Sequence, residues 1–270
     1  MADGFFCIMM NMKLKICMIL LIGVVMISCK EKPLKEPVLE VNMVFLHRIN
    51  GDSLLLDSSL CSNEAGNIFY ISEIKYFVSN VCLYRNGQKY NIGTHYVDTD
   101  YPETLHWDIS SLSLSEGKYD SVSFIFGLDD NDNYNFHYVN PPQSAMAWPI
   151  SLGGGYHYMM INGRYFGNNV WNPMNIHLGR GQIYQGESTD TDSIVGFVPN
   201  YFDVVLYENI YVQRNEPLTI NIIMNTEKWF ANPYIYDITR WGSHIMQNQT
   251  AMQILKENGK KDVFTIELKN

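Results

Sequence analysis

The 270-residue chain has few cysteines and little charge. No two of its five cysteines form a C-x-x-C pair, so neither a thioredoxin-type redox motif nor a cysteine-paired zinc motif is encoded. Charged residues make up 17% of the chain, with 28 Asp and Glu against 19 Lys and Arg. That acidic balance leaves no basic stripe for nucleic-acid phosphates, so nucleic acid is not an expected partner. Catalytic signatures are also missing: there is no G-x-S-x-G elbow, no HExxH, and neither a P-loop nor a dinucleotide fingerprint. Gly153-Gly154-Gly155 lacks their spacing and a following lysine. With no nucleophile–base pattern, the chain is not expected to be an enzyme. No pair of histidines has HxxxH spacing, so any metal site has to be assembled in three dimensions.

The one long apolar run is at the amino end. Met12 opens MKLKICMILLIGVVMISC, in which Lys13 and Lys15 precede the almost wholly apolar residues 16–27. The run is shorter than the roughly 18 residues of a spanning helix and has the layout of a secretory signal. Its Met-Ile-Ser-Cys ending resembles a bacterial lipobox, which makes Cys29 the lipidated first residue of the mature chain. Residues 1–28 are therefore expected to be signal peptide, with 1–11 an upstream extension from a misassigned start. Their loss removes Asp3, Lys13 and Lys15 and leaves 17 basic and 27 acidic residues, a net charge of −10. Membrane contact would then come from the lipid rather than from surface charge. Cell-envelope localisation follows, on the periplasmic face or the outer-membrane surface. Cys61 and Cys82 remain, and in an exported protein they are free to pair or not.

Residues 29–40 contain the lipidated cysteine and a charged, proline-bearing tether; residues 41–270 are of a size for one domain. Residues 41–49 alternate apolar and polar, with Val41, Met43, Phe45 and His47 on one face, and end at Asn50-Gly51. Ile68–Arg85 is β-rich and long enough to suggest two pieces; Asn86-Gly87 then turns a hairpin into residues 88–98. Strands are expected again at 119–127, 156–161, 175–178, 202–207, 218–224 and 263–268. A single late helix, capped by Ser243 and closed by Gly259, carries the stripe Ile245, Met246, Met252 and Leu255. The expected fold is all-β: an antiparallel β-sandwich with one short C-terminal helix as a cap. The stretch 146–179 is aromatic, glycine-rich and free of acidic residues. It reads as strands and tight turns closing one end, with Trp148 as an aromatic plug on Tyr156 and Tyr158.

Several phrases occur in order: FLHRINGDSLLLDSSL, ISEIKYFVSNVCLYRNGQ, GKYDSVSFIFGLDDNDN, MAWPISLGGGYHYMMINGRYF, NIHLG and HIMQNQTAMQILKENGKKDVF. Together they resemble the MbnP-like copper-binding family, as met in Bacteroidetes-type lipoproteins, over nearly all of residues 41–268. The resemblance implies a β-sandwich of the cell envelope. It also implies one copper ion held through histidine, with a tryptophan-derived kynurenine as a further ligand made by a di-haem, MauG-like partner enzyme. The resemblance does not assign the modified tryptophan to a particular residue of this chain.

Copper(I) favours imidazole and soft sulfur, and two or three neutral imidazoles from separate strands suffice. His47 is the first candidate, because an early-strand histidine recurs in the family. His95 ends the hairpin strand and can meet His47 if the first strand lies near it. His177, in NIHLG, points away from Met174, Ile176 and Leu178. His106 stands in a polar loop beside Trp107, itself a candidate for oxidation. His157 reads as core, and His137 and His244 as structural. The acidic run from Asp129 to Asn133 is rich in oxygen, but it lacks the glycine and closing glutamate of a calcium loop and reads as an Asx-rich turn, so calcium is not an expected ligand. Two functions stay open: a non-catalytic lipoprotein that binds or traffics copper, and a metal-free envelope module that holds a glycan or protein partner on its aromatic end.

Overall fold

A computed structural model describes residues 39–112, 114–187, 189–242 and 245–269. The expected signal peptide, Cys29, most of the tether, Ser243 and His244 lie outside the described residues. Strands are numbered in chain order. Strand β4 (Ile68–Arg85) is the axis of the fold. It is one strand rather than two, because a bulge at Asn80, with φ of +50°, lets an 18-residue strand bend without breaking its ladder. At Lys75 and Tyr76, β4 pairs with both β5 (Gln88–Asp98) and β8 (Met159–Gly167). At Val78 it pairs with β5 and with β7 (Gly117–Phe126). β7 and β8 therefore follow one another along one edge of β4, and β5 occupies the other. β3 (Cys61–Ser62), β9 (Val170–Leu178) and β12 (Phe202–Val212) complete a seven-stranded sheet.

The facing sheet has five strands. β1 (Val41–Ile49) pairs with β2 (Asp52–Ser53), β6 (His106–Asp108) and β13 (Leu218–Asn225), and β14 (Phe264–Lys269) flanks β13. The β1–β13 pair is parallel, with Val41 opposite Leu218 and His47 opposite Met224. β10 (Gly181–Tyr184) and β11 (Ile194–Val198) form a separate two-stranded ribbon. The alternation in β1 does what the sequence predicts: Met43 and Phe45 are buried between the sheets beside Ile220 and Ile222. Phe126 of β7 lies near the centre, its ring within 5.4 Å of those of Tyr76, Phe202, Trp229 and Phe264. Burying a ring of this kind contributes about 1.5–3 kcal/mol.

The outer face of β4 is also covered. Phe77 stacks on Tyr138 at 5.2 Å and meets Tyr96 at 5.0 Å, under a cover made by residues 128–158. The acidic run anchors this cover. The Asp129 Oδ1 accepts the Asn131 and Asp132 amides, which makes an Asx-type turn. Asn133 Oδ1 then accepts the Tyr156 N–H, and Asn135 Oδ1 the Gly155 N–H, each at 2.7 Å. Trp148 is buried, donates its indole N–H to the Leu152 carbonyl and packs on Gly179. The ring it meets edge-on is that of His157.

The helix starts later than expected. Residues Ile245–Gln247 form a 3-10 turn, and the helix proper, Gln249–Gly259, is capped by Asn248, whose side chain accepts the Ala251 N–H. Asn248 serves as the cap where it stands just before the buried stripe Ala251, Met252 and Leu255. The helix ends at Gly259, where a Cβ would lie 2.3 Å from the Phe202 ring. A shorter helix spans Ile238–Trp241. Among the described residues no helix is long and apolar enough to cross a membrane. Cys61 and Cys82 are both buried and free: the Cys82 sulfur faces the Asn80 carbonyl and the Cys61 sulfur faces Asn50.

Gly155 has φ of +79°, and a Cβ there would fall 2.2 Å from Asn133 Oδ1. Gly155→Ala is expected to lower stability by about 2 kcal/mol, combining left-handed strain with loss of the Asn133 bond. A lower urea midpoint at unchanged slope is the measurement that checks it.

Candidate functional site

The structure places the predicted histidines in three settings. His47 and His95 are brought to one aromatic cluster between the sheets. His47 projects inward from β1 and meets the Tyr76 ring at 5.8 Å. Its Nε2 is buried and has no hydrogen-bond partner. Burial pushes its pKa down to about 4, so the ring is neutral at physiological pH. His95 comes from β5 and is held as the middle layer of a stack, 5.3 Å from Phe45 and 4.6 Å from Trp107. Phe45 in turn touches Tyr76 at 6.4 Å, which links the two histidines through shared neighbours. His95 Nε2 lies 2.7 Å from the Thr104 carbonyl, an acceptor only, so this nitrogen carries the proton and Nδ1 is bare. Burial also lowers the His95 pKa, against the opposing effect of the Thr104 carbonyl. Met224, the cross-strand partner of His47, adds a thioether on the same face.

His106 lies elsewhere. It is exposed and pairs with Val44, on the face of β1 opposite His47, whereas the next residue, Trp107, turns inward onto His95. Trp107 was legible as a neighbour of a histidine, but its partner is His95, not His106.

His177 belongs to a third place, the covered outer face of the seven-stranded sheet. It does point away from buried Met174, Ile176 and Leu178. Its ring lies 5.1 Å from that of His157, with the planes at 88°. Read alone, His157 looks like core, and it is buried; its proximity to His177 depends on the β8–β9 register. That register was legible in principle. Asn168 and Asn169 both have positive φ (54° and 62°) and link Gly167 to Val170 as a two-residue hairpin turn, which sets Met160 opposite His177. Both rings are neutral: burial pushes each pKa down to about 4.

Among the described residues, no three of His, Cys, Asp and Glu converge so as to hold a metal ion. What the molecule offers is one pair of neutral imidazoles in contact, His157 with His177, and two more, His47 and His95, that share the aromatic neighbours Phe45 and Tyr76. Such groups suit a soft, weakly hydrated cation and do not suit calcium or magnesium, which require oxygen. Asp129 Oδ1 and Asn133 Oδ1 already accept backbone amides, and Asp129 Oδ2 accepts from the Asn80 side chain.

Two facing β-sheets with a late helix define an all-β sandwich. The MbnP family model matches residues 39–249, and the chain belongs to the MbnP family. Among solved structures, MbnP from Methylosinus trichosporium is similar at 14% identity and a TM-score of 0.45, covering 71% of this chain and 76% of that one. No curated protein matches the chain.

The neutral histidines make stability depend on pH. An unfolded imidazole titrates near 6.5 and His157 near 4, so between these values the unfolded chain binds more protons. The stabilisation is complete above the unfolded value and is lost as pH falls toward 4, by about 3 kcal/mol for this one group. Urea midpoints at pH 7.5 and 4.5 are expected to differ accordingly, and His157→Gln to reduce the difference.

Proposed function

We propose that the protein is a non-catalytic component of the cell envelope, anchored by lipid at Cys29, that binds copper(I) through His47 and His95. The observation that carries this reading is the His47 Nε2, buried and unpartnered beside Tyr76. A buried polar atom without a partner costs about 1–3 kcal/mol, and a soft cation accepting its lone pair would remove that cost. The bare Nδ1 of His95 is the second donor, and the Met224 sulfur beside His47 suits the same ion. Bound copper would supply a soft, monovalent charge; the protein's residues orient the donors and keep them neutral. Family resemblance supports copper as the cargo and a di-haem, MauG-like enzyme as a partner.

A second reading, a metal-free module holding a glycan or a protein segment, draws on one feature. A cavity of about 320 Å³ opens among Tyr138, Trp148, Ile150 and Tyr156, and Phe136 and Val139 beside it are 77% and 72% exposed. Anaerobic titration of the mature protein with copper(I) against a chromophoric chelator separates the two. Tight binding that His47→Ala weakens at least about tenfold supports the copper reading. Absence of binding at micromolar copper overturns it and leaves the cavity as the functional surface.

A further inference from the structure

We propose that the cleft between the β10–β11 ribbon and the start of the late helix binds a neutral saccharide through its hydroxyl groups. The cleft has a volume of about 500 Å³ and opens among Gln182, Tyr184, Gln247, Gln249 and Thr250. It shares no lining residue with the cavity at Tyr138 and Trp148. Among the described residues its lining includes no histidine and no charged side chain, so the site is independent of the copper assignment.

One lining residue carries an unmet acceptor. Gln182 is 3% exposed. Its side-chain nitrogen donates to the Arg180 carbonyl at 2.7 Å and to the Leu152 carbonyl at 3.0 Å. Carbonyl oxygens only accept, so the nitrogen must stand there and Oε1 is the other atom of the amide. That Oε1 is buried and has no partner. Neither carbonyl belongs to the cleft, so Oε1 is the polar atom that Gln182 offers to it. An unpaired buried acceptor is unfavourable, and a ligand that donates to it removes the penalty.

Donors border the same space. The first amides of a helix have no intrahelical acceptor. Asn248 Oδ1 takes the Ala251 amide, and those of Gln249 and Thr250 have no acceptor among the described residues. The Tyr184 hydroxyl accepts from Gln247 Nε2 at 3.1 Å, which leaves its own proton for a ligand. The helix start is also fixed in position. Gln249 and Asn200 exchange two amide hydrogen bonds, at 2.9 and 3.1 Å, and Asn200, fully buried, donates to the Gly179 carbonyl as well. Gly181 makes room for this pair, since a Cβ there would collide with Gln249 Oε1.

These groups select the ligand. Helix N-terminal amides favour an acceptor and disfavour a cation. An anion supplies acceptors only, meets no Lys, Arg or His, and sets its charge against the Gln182 oxygen. A hydroxyl donates and accepts at once, and adjacent hydroxyls on a sugar ring do so at neighbouring points. The Tyr184 ring adds an amphipathic surface on which a sugar face can pack.

The test follows the backbone amides of the mature protein by NMR. The probes are methyl glycosides of glucose, galactose, mannose and N-acetylglucosamine, together with maltose and cellobiose. At least one is expected to bind with a Kd on the order of 1 mM and to shift the Gln249 and Thr250 amides. Tyr184→Ala is expected to weaken binding at least about tenfold, and Tyr184→Phe, which keeps the ring, about threefold. Gln182→Met removes the acceptor at similar volume and is expected to abolish binding. Thermal unfolding shows whether that buried variant folds, and the half-buried Tyr184 carries the test if it does not. Copper(I) affinity is expected to be unchanged in the Tyr184 variants, so failure here is distinct from failure of the copper reading. Inorganic phosphate that moves the two amides while every sugar is silent overturns the proposal in favour of an anion at the helix end. N-acetylglycinamide acting alone overturns it in favour of a peptide ligand. Sugar binding indifferent to Tyr184→Ala, or no binding of any probe at roughly ten times the expected Kd, also overturns it.

Discussion

Strand β4 is buried on both of its faces, and most of the structure follows from that. A strand covered once makes a sandwich; one covered twice needs a third layer, and the segment 128–158 supplies it. That third layer contains no named strand. It is a loop held by side-chain amides instead, with Asn133 and Asn135 standing in for the ladder bonds the glycine turn cannot make. Two shielded interiors result, one between the sheets and one beneath the loop, and each contains a pair of histidines with a tryptophan against it.

The two pairs are built differently. Around His95 the protein uses stacking: Phe45 and Trp107 hold the ring from both sides, and a single carbonyl decides which nitrogen is bare. Around His177 it uses charge at a distance, through Lys75, Glu73 and Asn162. In both places burial keeps the imidazoles neutral, which is the state a metal requires and a salt bridge does not.

The sheets were largely legible in the sequence because period-2 alternation and Asn-Gly turns are local signals. β1 and the β4–β5 hairpin appear where those signals place them, and the late helix ends at Gly259 as its signal predicts. What was not legible depended on contacts far apart in the chain. The Asn80 bulge, which keeps β4 whole, is encoded by no turn residue pair. The helix start moved to Asn248 because burial of Ala251 and Leu255 selected among several capping residues. At the candidate site, His47 and His95 were anticipated as neighbours, and a common aromatic cluster is what the fold provides. His157 was hidden because a buried histidine between two tyrosines resembles ordinary core until the register of β8 and β9 sets His177 beside it. Lone-pair assignment also requires knowing which oxygen faces which nitrogen, and no spacing rule contains that.

The parallel pairing of β1 with β13 bears on timing. His47 lies on the first strand, yet its neighbour Met224 comes 177 positions later, on the far side of nearly the whole domain. Contacts so distant in sequence form late, since most of the chain must be ordered before they close. While the polypeptide is still emerging, the first-strand histidine has no enclosing wall. It is an ordinary, solvated imidazole, as open to stray protons and ions as any free peptide. The His157–His177 hairpin, by contrast, spans only twenty positions and can bring its rings together early. The two interiors therefore mature in the reverse of their order along the chain.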